Sequence, residues 1–243
     1  GADYRVTDTF MIGALLGLDN YDQTFNPDLP GTNFVPQANE GDSDVSNLSI
    51  SVFSTKNFSD IGYIEAQASY IYSDYEFSRS VVYQEFTRTL PLVDVNTSAD
   101  TNGHQWALSF GGGIERANGP WNYGLYGRAD YQHVVIDSYQ ENGGNGLAMR
   151  FEEDTNTDIT GTIGARLSRA INQDFGVLVP QVFVEHVHAF KSDVRTTTSS
   201  YIQDTANTRF TVTGDDPDEN YLNVGISLMA VLPNGINAFV GYS

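Results

Sequence analysis

The sequence predicts an all-β chain folded as an antiparallel, up-and-down transmembrane β-barrel. Three observations predict it. Apolar and polar residues alternate with a period of two through segments of ten or more residues. Short turns and long polar connections take turns in joining those segments. No stretch approaches the run of about twenty apolar residues that a membrane helix needs, whereas a membrane strand needs only about nine to eleven residues with alternate ones apolar.

The first clear alternation runs through Leu48, Ile50 and Val52, set against Asn47, Ser49 and Ser51. From Gly62 to Ser73, Ile64, Ala66, Ala68, Tyr70 and Tyr72 oppose Glu65, Gln67 and Ser69. Trp106, Leu108, Phe110 and Ile114 share the next apolar face, opposite Gln105, Ser109 and Glu115. Tyr123, Leu125, Ala129 and Tyr131 then oppose Asn122, Tyr126, Arg128, Asp130 and Gln132. Ile159, Ile163, Ala165 and Leu167 oppose Asp158, Thr160, Thr162, Arg166 and Ser168. Near the end Leu222, Val224, Ile226, Leu228 and Ala230 face away from Asn223 and Ser227, with Met229 the exception. Successive strand side chains point to opposite faces, so each segment has one apolar and one polar side.

Short turns rich in Asn, Asp, Gly or Pro are predicted at Lys56 to Ile61, Ala117 to Pro120, Ile171 to Phe175 and Pro233 to Gly235, the last within a Leu-Pro-Asn-Gly hairpin signal. Long polar connections are predicted at Asn20 to Gly41, Phe77 to Asn102, Gln140 to Asn156 and Lys191 to Asn220. Short turns at one end and long loops at the other are the layout of an outer-membrane barrel. A soluble barrel or sandwich also alternates, but its strands average about five or six residues. Ten-residue alternation with Trp106, Tyr72, Tyr123 and Tyr131 near the ends of the apolar faces fits a tilted membrane strand with interfacial aromatics.

Composition narrows the chemistry. The 243 residues contain 14 Tyr, 14 Phe and 23 Gly, a strand-and-turn composition, and no Cys, which excludes disulfides and thiolate metal sites. The formal charge of -19 makes nucleic acid a poor partner. Acid concentrates in Asp19 to Asp44, with six acidic and no basic residues, and in Asp215 to Glu219. These read as solvated loops, since neither has the spacing of an EF-hand calcium loop. Gly1 to Arg5 has no basic region followed by an apolar one, so any signal peptide is expected upstream. No G-x-S-x-G elbow, P-loop or HExxH motif is present, no cofactor is implied, and the chain is not expected to be an enzyme.

The polar face supplies the candidate functional residues: Glu65, Gln67, Tyr126, Arg128, Asp130, Gln132, Asp158, Arg166, Gln181 and Glu185, expected to line the lumen. Arg128 and Asp130 are spaced i, i+2, as a lumenal ion pair would be. His186 and His188 share the apolar face near its loop end. Their spacing would suit two metal ligands, but no third is evident, and an interfacial pair at the membrane rim is the preferred reading.

In order and spacing, several stretches resemble the autotransporter β-domain family. They are Tyr123-Gly-Leu-Tyr-Gly-Arg-Ala-Asp-Tyr131 through Val135-Ile-Asp-Ser-Tyr139, Gly143-Gly-Asn-Gly-Leu147, Thr162-Ile-Gly-Ala-Arg166, Pro180-Gln-Val-Phe-Val-Glu-His-Val-His188-Ala-Phe190, Asp215-Asp-Pro-Asp218, and Tyr221-Leu-Asn-Val-Gly225 through Leu232-Pro-Asn-Gly235. Ala189 departs from the family's usual His-Glu-Phe, leaving any role of that carboxylate in doubt.

The resemblance implies a twelve-stranded domain over 1–243, of which about eight to ten strands are present, lacking the N-terminal strand or strands and the C-terminal closing strand. It implies an integral place in the bacterial outer membrane, contact with outer-membrane lipid, help from barrel-insertion machinery during assembly, and anchoring and export of the chain's own N-terminal passenger. The polar wall would then be a surface along which a passenger passes, or which holds a plug helix; for any single residue, pairing that stiffens the barrel is the plainer role. Two alternatives remain: a surface barrel whose long acidic loops bind ions or partners without exporting a passenger, and a soluble β-rich adhesin.

Overall fold

The computed structural model describes residues 1–24, 41–58, 61–83, 92–233 and 237–243. The alternating segments all become strands: β1 (Ala2–Thr7), β2 (Phe10–Thr24), β3 (Gly41–Phe58), β4 (Gly62–Tyr83), β5 (Val93–Asn118), β6 (Trp121–Ile136), β7 (Tyr139–Gln140), β8 (Asn142–Gly143), β9 (Met149–Phe151), β10 (Asp154–Arg169), β11 (Ile171–Gln173), β12 (Gly176–Ser192), β13 (Thr196–Tyr201), β14 (Arg209–Thr213), β15 (Asn220–Val231) and β16 (Asn237–Tyr242). The main sheet follows the order β1-β2-β3-β4-β5-β6-β10-β12-β15-β16, curled into a half-barrel. Every pairing along it is antiparallel, and each strand pairs with the next strand of the path along the chain. Short β11 pairs with β12, and β8 with β5. Between β5 and β6 the two-residue turn is Gly119–Pro120, with Gly119 at φ 61°, the left-handed conformation that glycine adopts without strain. The predicted turn at Pro233 to Gly235 and the connection at Asn20 to Gly41 fall largely outside the described residues.

No large side chain among the described residues is fully buried. Instead, one face of the sheet exposes its apolar residues: Leu18 is 86% exposed, Ile163 73% and Leu222 66%, with Leu48, Ile50, Val52, Leu108, Phe110 and Leu125 on the same side. In water such a face would aggregate; against lipid it is the stable arrangement, because the ladder satisfies the backbone polar groups internally.

One expectation is corrected. Phe77 to Asn102 is not a loop throughout: β4 continues to Tyr83 and β5 begins at Val93, pairing from Tyr83↔Val93 downward. At about 3.3 Å per residue, half of each strand is more than a membrane crossing requires, so this hairpin stands well clear of the apolar band. Here the faces exchange character. Outward positions become Asp74, Glu76, Ser78, Asp100 and Asn102, and inward ones Tyr75, Phe77, Ala99 and Thr101. The connections at Gln140–Asn156 and Lys191–Asn220 are also partly ordered, as a small sheet of order β14-β13-β9-β7. Tyr139 and Phe151 stack at 4.6 Å and Phe77 on Tyr139 at 5.4 Å, fastening that sheet to the inner side of the hairpin.

Burial, with the Glu141 carboxylate as the next contributor, pushes the Tyr139 phenol up to about 12 from 10.0. The folded platform therefore favours neutral Tyr139: its contribution is complete below pH 10 and is lost as the pH rises through about 12. Protease cleavage of the small sheet is expected to accelerate over that window in the wild type and less so in Tyr139→Phe.

Outside the apolar band, Asp22, Asp44, Glu76 and Asp100 stand directly opposite one another across β2, β3, β4 and β5. Directly opposed like charges weaken a sheet. Glu76→Gln is expected to slow proteolysis of the hairpin at low salt, with the advantage shrinking as salt screens the row.

Candidate functional site

The face opposite the apolar one is the candidate site. Strand register arranges its side chains in rows. In one row, Tyr63, Gly113, Tyr126, Gly164, Glu185 and Asn223 follow one another across β4, β5, β6, β10, β12 and β15. Large and absent side chains alternate, and the glycines make the wall's chemistry reachable. A Cβ on Gly164 would lie 2.4 Å from Tyr126 Cζ, so the Tyr126 ring occupies the space a side chain there would fill. Lying across β10, the Tyr126 hydroxyl donates to Glu185 Oε1 at 2.6 Å, and Asn223 Nδ2 donates to Glu185 Oε2 at 2.9 Å.

The adjoining row repeats the device. Glu115, Gly124, Arg166, Phe183 and Gly225 stand in register. Arg166 reaches over Gly124 to form an ion pair with Glu115, and it donates to the Tyr63 hydroxyl at 3.1 Å. Its guanidinium carbon lies 5.7 Å from the Tyr63 ring centroid and 5.4 Å from that of Tyr126, within cation–π range. Phe183 lies over Gly225 as Tyr126 lies over Gly164.

All ten lumen-lining candidates sit on this wall, divided between two cavities. One, of about 300 Å³, is lined by Glu65, Tyr126, Arg128, Arg166, Gln181 and Glu185 together with Tyr63 and Phe183. The other, of about 630 Å³, takes in Gln67, Arg128, Asp130, Gln132 and Asp158, with Pro217 and Asp218 reaching over it from the connection before β15. Arg128 Nε donates to Asp130 Oδ2 at 2.8 Å, Gln67 to Ser69 Oγ at 3.1 Å, and Ser192 to Asp158 at 2.8 Å. Glu65, Glu115, Asp130, Asp158 and Glu185 outnumber Arg128 and Arg166, leaving the wall net acidic. These ion pairs are part-exposed, with Arg128 42% and Asp130 32% accessible, so each adds little stability alone. Their geometric effect is to hold side chains flat against the wall.

Trp106, Tyr72, Tyr123, Tyr131, His186 and His188 all occupy outward positions. Tyr123 stands near the short turns; Trp106, Tyr72, Tyr131, His186 and His188 stand toward the long connections. His188 Nδ1 and Asn220 Oδ1 are 2.9 Å apart, and the His188 ring meets Phe190 edge-on at 4.6 Å. Glu115 reads from the sequence as a polar-face residue but not as a lumen-lining candidate, and Tyr63, Phe183 and the glycines at 124, 164 and 225 are not among the candidates either. A glycine opposite an aromatic is recognisable only once register is known.

An apolar face toward lipid, a polar curved wall behind it and loops gathered at one end define the wall of an outer-membrane β-barrel. The autotransporter β-domain family model matches residues 1–243, and the chain belongs to that family. Over 98% of its length it superposes on the translocator domain of the autotransporter NalP from Neisseria meningitidis, with a TM-score of 0.60, 16% identity and 75% of that chain covered. The β domain of the Bordetella autotransporter BrkA aligns over 96% of the chain and 75% of its own, with a TM-score of 0.56 and 19% identity. Among curated proteins, Lipase 1 of Photorhabdus luminescens is 25% identical over the whole chain, which spans 34% of that protein. Esterase EstA of Pseudomonas aeruginosa is 27% identical over 59% of the chain, corresponding to 22% of its own length. The chain is an outer-membrane translocator barrel; such barrels carry short periplasmic turns and longer extracellular loops, which puts the long-connection end outside the cell.

Proposed function

We propose that the net-acidic, aromatic-braced wall is the surface past which a passenger attached to this domain leaves the cell, and that the barrel afterwards anchors that passenger. The observation that carries this reading is the family match over residues 1–243, joined to a continuous polar wall on the side away from lipid. β1 and β16 are the two ends of the described sheet path, and edge ladder groups facing lipid would cost several kcal/mol each, so in this reading the sheet is closed in the membrane. The chain carries no catalytic role in this reading. The esterase and lipase names of the relatives belong to proteins about three to five times the matched length, and in this reading their hydrolase function resides in segments outside the match. Insertion machinery is expected to assist assembly.

The test is surface exposure. In cells expressing the full-length gene, external protease is expected to remove the segment preceding Gly1. Deleting the hairpin 93–136 in frame is expected to abolish that exposure. Unchanged exposure after the deletion, or a gene in which a signal peptide directly precedes Gly1, would overturn the reading.

A further inference from the structure

The outward face carries a distinctive chemistry beside the short turns. Lys56, Arg116 and Arg169 each stand within the last three residues of their strand, in β3, β5 and β10. Register places Lys56 on the face of Val52, Arg116 on that of Ile114 and Arg169 on that of Leu167, so all three point away from the lumen. Aromatic side chains are set among them. Tyr123 is directly opposite Arg116, and the Arg169 guanidinium lies 5.1 Å from the Trp121 ring centroid. Lys56 Nζ donates to Thr9 Oγ1 at 2.8 Å, which holds its ammonium at the turn. Arg116 is exposed and makes no ion pair or side-chain hydrogen bond among the described residues.

Charge sorts the two ends of this face. Among the described residues, no outward strand position within four residues of a short turn is Asp or Glu; Asp8 and Asp174 sit in the turns themselves. At the other end stands the Asp22, Asp44, Glu76, Asp100 row. With only 12 Lys and Arg against 31 Asp and Glu in the whole chain, three cations and no anion among the described outward strand positions beside the short turns is a marked segregation. Long basic side chains at this height lay their stems along lipid and present the charge at headgroup level, and Trp and Tyr settle at the same level. Guanidinium and ammonium groups there match phosphate oxygens.

We propose that Lys56, Arg116 and Arg169, with Trp121 and Tyr123, form a binding rim for the phosphodiester headgroups of phospholipids on the periplasmic side of the barrel. The inference rests on the outer-membrane placement and is independent of passenger export.

The test uses the full-length protein in detergent, titrated with phosphatidylglycerol and followed by native mass spectrometry. Removing a cation is expected to weaken binding roughly fivefold, and K56Q/R116Q/R169Q on the order of a hundredfold, while R116K/R169K stays near wild type. Heat-modifiable gel mobility reports whether each variant is folded. If the triple variant does not fold, R116Q and a salt series on the wild type decide. A fivefold loss in R116Q and weakening with salt support the rim. Unchanged binding in R116Q, salt-independent binding, or preference for lipid A phosphates over phospholipid would overturn it.

Discussion

A Gly164→Val substitution is expected to lower the urea midpoint of the refolded barrel more than any other single change on the polar wall. The added side chain would enter the space that the Tyr126 ring fills, because even its Cβ falls 2.4 Å from Cζ. Gly164 is flanked in register by Tyr126 on β6 and Glu185 on β12, so relief requires the ring to swing off β10. Overpacking of this kind costs about 1–3 kcal/mol. Swinging away also breaks the 2.6 Å bond to Glu185, and a hydrogen bond to a charged group contributes about 1.5–3 kcal/mol, toward the lower figure here because both groups are only part-buried. Tyr126→Ala in the same molecule is expected to recover most of the steric share, a coupling that a double-mutant cycle measures directly. A Gly164→Val barrel with the wild-type midpoint would mean that the ring does not lie where the structure puts it.

Glu141→Ala is expected to open the extracellular platform without unfolding the barrel. Glu141 is buried, with its side chain 6% exposed. It receives Arg79 Nε at 2.8 Å and Nη2 at 2.6 Å, and the Met149 backbone N–H at 2.8 Å, while Arg79 also donates to the Leu147 carbonyl at 3.1 Å. Its carboxylate hydrogen bond, more than charge alone, raises the Arg79 pKa further above its ordinary value. Truncating one partner of a buried pair costs about 3–5 kcal/mol, and Arg79's one-third exposure brings this toward the lower end. Cleavage within 193–219 by added protease should accelerate on the order of a hundredfold if the platform opens locally. Heat-modifiable mobility should be retained. Loss of mobility in step with cleavage would show that the platform and the barrel unfold together.

The strands of the apolar band were legible because lipid and lumen impose opposite demands on successive residues. Leu48, Ile50 and Val52 against Asn47, Ser49 and Ser51 leave little choice of face. The protruding part of β4 and β5 was read as a loop because its alternation reverses phase at Ser73. Tyr75, Phe77 and Val81 turn inward while Asp74, Glu76 and Ser78 face water, so a pattern followed from Ile64 loses its phase. The ten wall residues followed from parity alone. Their pairing did not, since the contacts of Tyr126 with Gly164 and of Arg166 with Glu115 depend on registers between strands that period-two patterns leave free to slide. The small sheet of β14, β13, β9 and β7 joins segments distant in sequence through two- to six-residue pieces, too short for periodicity to reveal.

The meander order has a consequence for how the molecule comes into being. Because each strand of the main path touches chiefly the strand before it and the one after, the sheet behaves as a chain of nearest-neighbour couplings and lacks a shared interior that must condense at once. Such an object grows at its rim: each arriving strand finds its template already in place, closes only the loop to its neighbour along the chain, and adds its own increment of stability. Damage should therefore be felt locally, as a stalled edge, wherever a single glycine notch fails to accept the ring of its neighbour.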